Sequence, residues 1–224
     1  MLTPLHVACA NGHLNVVKIL LNKNAKLKKR NAKGWTALFF SCEKGNNDLV
    51  TMILTLTREV NITDKAGVTP LMVACKGSHF DVVETLLVSN ADANQCDNDK
   101  SSPLEYACTA GNVDIFNLLL GHGAVINLTN KSGITPLHAA CMNNHIQVVN
   151  ALIEKMADIN SVDVLGETPL YKACFNGDIE TVKTLLKKDA KINISDTSGT
   201  PPIAIAKKNG FSSIVELLDN ANIV

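Results

Sequence analysis

The sequence predicts an all-α repeat solenoid, one array over residues 1–224 built from stacked helix–turn–helix units. Three observations carry that prediction. Thr3-Pro4-Leu5 returns at a constant 33-residue spacing as Thr36-Ala37-Leu38, Thr69-Pro70-Leu71, Ser102-Pro103-Leu104, Thr135-Pro136-Leu137, Thr168-Pro169-Leu170 and Pro201-Pro202-Ile203. A strict period of this length marks a stacked array in which each unit packs only on its neighbours. Turn residues recur in phase with it, and hydrophobic residues make up 46% of the chain with only 4% aromatic, so short aliphatic side chains do the packing. The expected units are 3–35, 36–68, 69–101, 102–134, 135–167, 168–200 and an incomplete 201–224.

Each unit opens with a helix start. The Thr hydroxyl accepts a bond from an orphan backbone N–H, and Pro fits the first helical position, where its missing N–H costs nothing. In the first unit this helix runs through Leu5-His6-Val7-Ala8-Cys9 and stops near Asn11-Gly12. Leu14, Val17, Leu20 and Leu21 then form the apolar face of a second helix. Asn24, Asn90 and Gly123 fall just past it, where a left-handed residue closes a helix. Asn31, Asp64, Asp97, Asn130, Asp163 and Asp196 follow, with Gly three residues on at Gly34, Gly67, Gly133, Gly166 and Gly199. That is turn chemistry, and it predicts a tight finger between successive helix pairs.

These residues resemble ankyrin repeats over essentially the whole chain. Thr3-Pro4-Leu5-His6-Val7-Ala8 and Thr135-Pro136-Leu137-His138-Ala139-Ala140 match the Thr-Pro-Leu-His-x-Ala pattern in full. Val16-Val17-Lys18-Ile19-Leu20-Leu21 and Ala91-Asp92-Ala93-Asn94 are similar to the family's second-helix and turn segments. The resemblance implies a curved helical solenoid with projecting β-turn fingers, whose concave face binds protein partners. It also implies that Asn residues such as Asn94 and Asn160 can be targets of cytosolic asparaginyl hydroxylases.

Departures from the repeat are expected to disturb the second to fourth units. Ala37 replaces Pro at a helix start, Lys100 replaces the turn Gly, Arg58 occupies a small-residue column, and Gly77-Ser78 displaces a Gly by one position. The last unit, with Lys207, Lys208, Asn209, Ser212 and Ser213, has the polar character of a cap. The first lacks a leading finger, so further chain is expected before it.

The composition excludes several functions. Net charge is zero, which disfavours a dedicated nucleic-acid or membrane binder, and no apolar run approaches the ~18 residues of a membrane span. No secretory leader is expected before Thr3. Six of seven cysteines share one column (Cys9, Cys42, Cys75, Cys108, Cys141, Cys174). Neighbouring helices pack about 8–10 Å apart, too far for disulfides, which need Cα atoms within about 7 Å. The column reads as small buried contacts, and reduced thiols predict a cytoplasmic or nuclear setting. Cys96, in a finger, is the expected accessible thiol. His6 and His138 are expected to bond backbone. A structural zinc site needs four ligands, which His6-x-x-Cys9 and His138-x-x-Cys141, four units apart, do not supply. The sequons at Asn61, Asn127 and Asn193 are column effects. No catalytic residue, metal or cofactor is expected.

What the repeat leaves free is the binding surface. Finger tips and the ends of first helices vary, and by resemblance they carry partner contacts. The candidates are Lys33, Trp35, Lys44, Val68, Ile134, Met142, Val164, Leu165, Phe175 and Asn176. Trp35, the sole Trp, is expected as an exposed hot-spot residue, and Ile134, Met142, Val164, Leu165 and Phe175 as an apolar patch. The expected function is a non-enzymatic, monomeric protein-interaction scaffold. The alternatives are a regulatory segment of a larger enzyme or channel, and binding of nucleic acid or another anion through Lys26, Lys28, Lys29, Arg30 and Lys33.

Overall fold

The computed structural model describes residues 1–221. Fourteen helices and no strand occur among the described residues. They are α1 (Pro4–Ala10), α2 (Leu14–Asn22), α3 (Ala37–Lys44), α4 (Asn47–Leu56), α5 (Pro70–Lys76), α6 (Phe80–Val88), α7 (Pro103–Ala110), α8 (Val113–Gly121), α9 (Pro136–Met142), α10 (Ile146–Glu154), α11 (Pro169–Asn176), α12 (Ile179–Leu186), α13 (Pro202–Lys208) and α14 (Ser212–Ala221). They divide between two compact units, residues 1–110 with 114–124, and residues 111–113 with 125 onward. Within each, α1, α3, α5, α9, α11 and α13 pair with the even-numbered helix that follows, and α1, α3, α5 and α7 stack in succession in the first unit as α9, α11 and α13 do in the second.

Local chemistry explains the pairs. Thr3, Thr69, Thr135 and Thr168 each accept the N–H of the residue three positions on. His6 and His138 return the bond, their Nδ1 accepting from the Thr N–H at 3.2 Å, a reciprocal cap. The second repeat loses both halves of it. Ala37 stands where Pro presets the helix, Phe39 at the third position has no acceptor, and the Thr36 hydroxyl is buried without a partner. The lost polar bonds give way to rings: Phe39 stacks on Trp35 at 5.5 Å, and Phe40 meets the Trp35 edge at 5.3 Å.

Three columns hold every left-handed residue among those described, one after each first helix, one after each second helix and one in each finger. Where the column offers no Gly, the backbone takes the angle regardless, as at Ser78 (φ 56°), Lys100 (φ 63°), Asn144 (φ 59°) and Met156 (φ 62°). The third repeat therefore keeps its path despite the displaced Gly77, and its irregularity is one of strain. Only Thr57 leaves its column. It ends α4 in extended backbone (φ −146°, ψ 142°), so the second repeat does distort at Thr57-Arg58.

The core is the repeat's own. Cys42, Cys75, Cys108, Cys141 and their column mates Cys9 and Cys174 are fully buried free thiols, and burial raises each thiol pKa, that of Cys174 to about 12. His6 Nε2 lies 2.8 Å from the Lys29 carbonyl, and His138 Nε2 lies 3.0 Å from that of Glu167. Both imidazoles pin the following finger. The fingers themselves are knit by single backbone bonds: Lys65 N–H to Lys33 O, Asn98 N–H to Ala66 O, Val164 N–H to Ser132 O and Thr197 N–H to Leu165 O, at 2.8–3.0 Å.

Candidate protein-binding surface

In every finger the carboxylate or amide of the Asn/Asp column builds the turn. Asp64 Oδ1 accepts the N–H groups of Ala66 and Val68, and Asp97, Asn130, Asp163 and Asp196 repeat the pattern. In the aspartates this leaves Oδ2 for a donor from elsewhere. Trp35 Nε1 donates to Asp64 Oδ2 at 2.9 Å, Tyr106 OH to Asp97 Oδ2 at 2.9 Å, Tyr171 OH to Asp196 Oδ2 at 3.0 Å, and Lys172 Nζ to Asp163 Oδ2 at 2.8 Å. Each finger is thereby tied to an inner helix or to the finger before it.

The first unit gathers three of its four expected contact residues. Lys33, Trp35 and Val68 line one cavity of about 420 Å³, together with Glu43, Asp64, Val73, Lys76, Gly77 and Tyr106. Lys44 is not among them; it is exposed at the end of α3, with its stem over Gly12. Trp35 is only half-buried, but its indole N–H is already bonded to Asp64 and one of its neighbours is the buried Phe39. It fastens two repeats as well as walling the cavity. The Lys33 ammonium lies 5.6 Å from the Trp35 ring centre, a cation–π contact of about 0.5–1 kcal/mol at an exposed site.

In the second unit the apolar candidates are open to solvent. Val164 is 61% exposed, Leu165 and Phe175 53%, and Met142 46%. The positions one repeat away from Val164 and Leu165 carry Lys131 and Ser132, or Thr197 and Ser198. The column of Met142 and Phe175 carries Ala10, Glu43, Lys76, Thr109 and Lys208 elsewhere. Large exposed hydrophobic residues thus stand where other repeats place polar residues or alanine. Ile134 differs: it is half-buried at a finger base, its N–H bonded to Asn130 Oδ1 at 3.1 Å. Asn176 is a clamp between repeats, its amide donating to the carbonyls of Met142 at 2.7 Å and Cys141 at 3.3 Å.

Much of the basic cluster is engaged internally. Lys28 Nζ pairs with Glu59 Oε1 at 2.5 Å, and Arg30 Nη1 donates to the carbonyls of Gly34 at 3.2 Å and Thr63 at 2.5 Å. Cys96 is half-buried, not open. Burial, followed by the charges of Asp97, Glu105 and Asp92, raises its thiol pKa, so it is a sluggish nucleophile.

Two features escaped the sequence reading. Tyr106 stands between two cavities of the first unit, and Lys172 sits at 13% side-chain exposure between Asp163 and Glu167. The signal for both was present in one column, where Val7, Phe40, Val73, Ala139 and Ile205 are apolar but Tyr106 and Lys172 are not. Among the described residues no group of three or more His, Cys, Asp or Glu side chains is placed to hold a metal ion, and no helix is long and apolar enough to cross a membrane.

Fold and surface together define an all-α repeat protein of the helix–turn–finger type. A family model described as ankyrin repeats (three copies) matches residues 1–64, 54–130 and 125–196, and the chain belongs to the ankyrin-repeat family. Among solved structures, the crystal structure of the human ASB11 ankyrin repeat domain is similar, with a TM-score of 0.87 at 24% sequence identity, covering 97% of this chain and 98% of that one. No curated protein gives a significant match. Ankyrin repeats are in general non-enzymatic protein–protein interaction modules.

Proposed function

We propose that this protein is a protein-interaction scaffold that binds its partner on the finger tips and inner-helix ends, with Met142, Val164, Leu165 and Phe175 as the apolar anchors. One observation carries the reading: four large hydrophobic side chains are about half exposed or more in columns that hold only polar residues or alanine in the other repeats. Burying such side chains against a partner is the main source of association energy, roughly 25 cal/mol per Å² of apolar surface. The internal bonding of Lys28 and Arg30 favours this reading over nucleic-acid binding. Buried reduced thiols support work in the cytoplasm or nucleus, and we place the chain there as a monomer.

The test is capture of partners by the wild-type chain and by Phe175→Ser and Leu165→Ser, with bound proteins identified by mass spectrometry. Val88→Ser, at a residue 70% exposed on a second helix, is the control. A partner lost with the first two and kept with the control is the expected result. Equal capture by all four chains overturns the assignment.

A further inference from the structure

We propose that the first unit holds a groove for a proline-rich segment in the polyproline II conformation, with prolines three residues apart. The inference rests on the reading of this fold as a protein-binding module, but it uses a different surface from Met142 to Phe175. A second cavity of about 420 Å³, lined by Lys76, Ser101, Glu105, Tyr106, Thr109 and Ala110, adjoins the one walled by Trp35, and Lys76 and Tyr106 line both.

The column at the ends of the first helices explains the openings. It carries Asn11, Asn143, Asn176 and Asn209, each of which folds its amide back onto a backbone carbonyl. In the third and fourth repeats the same column holds Gly77 and Ala110. Without the amide, space opens at the third and the fourth repeat, one step apart.

That step selects the occupant. Stacked helices such as α5 and α7 lie about 8–10 Å apart. A polyproline II chain has three residues per turn and rises about 3.1 Å per residue, so residues i and i+3 face the same way about 9 Å apart. In a β-strand, residues on one face recur at about 6.6 Å, out of step with the cavities. An α-helix recurs at i and i+7 with similar spacing, but the walls favour prolines. The Trp35 ring is held in place by its bond to Asp64, and Tyr106 by its bond to Asp97, giving two fixed aromatic surfaces. Prolyl rings dock against such surfaces in a chain that is already ordered. A polyproline II chain also leaves its carbonyls unbonded, and the exposed Lys76 ammonium between the cavities is placed to donate to them. The ligand would displace Lys33 from above Trp35.

Trp35 is the only Trp, so its fluorescence reports on the groove directly. The full chain is titrated with two nine-residue peptides of identical composition, one with its prolines three residues apart and one with them two apart. The expected result is a saturable Trp35 response at least ~tenfold tighter for the first peptide. Ala110→Asn installs the residue that other repeats carry and should abolish that preference. Circular dichroism checks its fold, and if it unfolds, Lys76→Ala should weaken the first peptide about threefold. Equal affinity for the two spacings, no response to either, or full preference retained in Ala110→Asn (or, should that variant unfold, unchanged affinity of Lys76→Ala for the first peptide) overturns the proposal. Loss of a partner with Phe175→Ser alongside no response to either peptide sinks this inference alone and leaves the proposed function standing.

Discussion

The imidazole of His79 occupies the space a side chain on Gly45 would need: a Cβ there would lie 2.4 Å from His79 Nδ1. On its other side the His79 Nε2 lies 3.0 Å from the carbonyl of Glu43, supplying a partner for the end of α3 from the following repeat. His145 lies against Gly111 in the same way, at 2.5 Å. These glycines serve twice, by taking a left-handed angle and by admitting the next repeat.

The two roles separate by substitution. Gly45→Ala meets both the angle (φ 70°) and the ring, whereas Gly199→Ala meets only the angle (φ 79°), with nothing within 4 Å. Urea unfolding should show a loss of about 1 kcal/mol for Gly199→Ala and about 3 kcal/mol for Gly45→Ala, the difference being overpacking. Equal losses would refute the docking role of His79.

Lys100 holds a left-handed angle with a full side chain, and its N–H closes the finger on Asp97 O at 3.0 Å. Lys100→Gly should stabilise the protein by about 0.5–1 kcal/mol, since the relief of the angle exceeds the added freedom of the unfolded chain. A lower urea midpoint for the variant would contradict this.

The Lys172 ion cluster should govern the acid limb of stability. Burial alone would raise the Asp163 pKa, but the bond from Lys172 and the backbone N–H groups of Glu167 and Leu165 outweigh it and leave it below the usual value. Burial likewise works against the Lys172 ammonium, and its bonds to Asp163 and Glu167 win, raising its pKa. A depressed carboxylate stabilises the fold above its unfolded pKa of about 4, and that contribution fades as pH falls through the folded value. A raised lysine stabilises below about pH 10 and loses its effect above. Lys172→Met should cost about 3 kcal/mol near neutral pH. The gap to wild type should narrow below about pH 4, as measured by thermal unfolding across pH. A gap independent of pH would show that packing, not charge, is what Lys172 contributes.

Trp35→Phe keeps the ring and removes the bond to Asp64. It should cost about 1–2 kcal/mol in urea unfolding, and a cost near zero would mean that Trp35 is held by Phe39 and Phe40 alone.

The repeat itself was legible because its determinants are local. Helix starts at Thr-Pro, left-handed turns at Gly and Asn, and the buried Cys column depend on residues a few positions apart, and the period sets them in register. Arg58 and Ala37 were visible as breaks for the same reason, and α4 does end in extended backbone while Thr36 is left without its cap. The proposed binding surface was harder to read. Trp35, Asn176, Lys28 and Arg30 look free in their columns, yet each bonds a group about 30 residues away.

By itself the sequence determined the family, the helix pairs, the turns and the burial of the cysteine and histidine columns, since local backbone chemistry repeated in phase admits one solution. The tertiary structure decided which polar and aromatic side chains are engaged within the array and which stay exposed. A period says which columns adjoin, but only packing sets where a side chain turns and what it meets there. It turned Trp35 onto Asp64 and Asn176 onto Met142, placed Lys172 between two carboxylates, and opened cavities where Gly77 and Ala110 are too small to fill them.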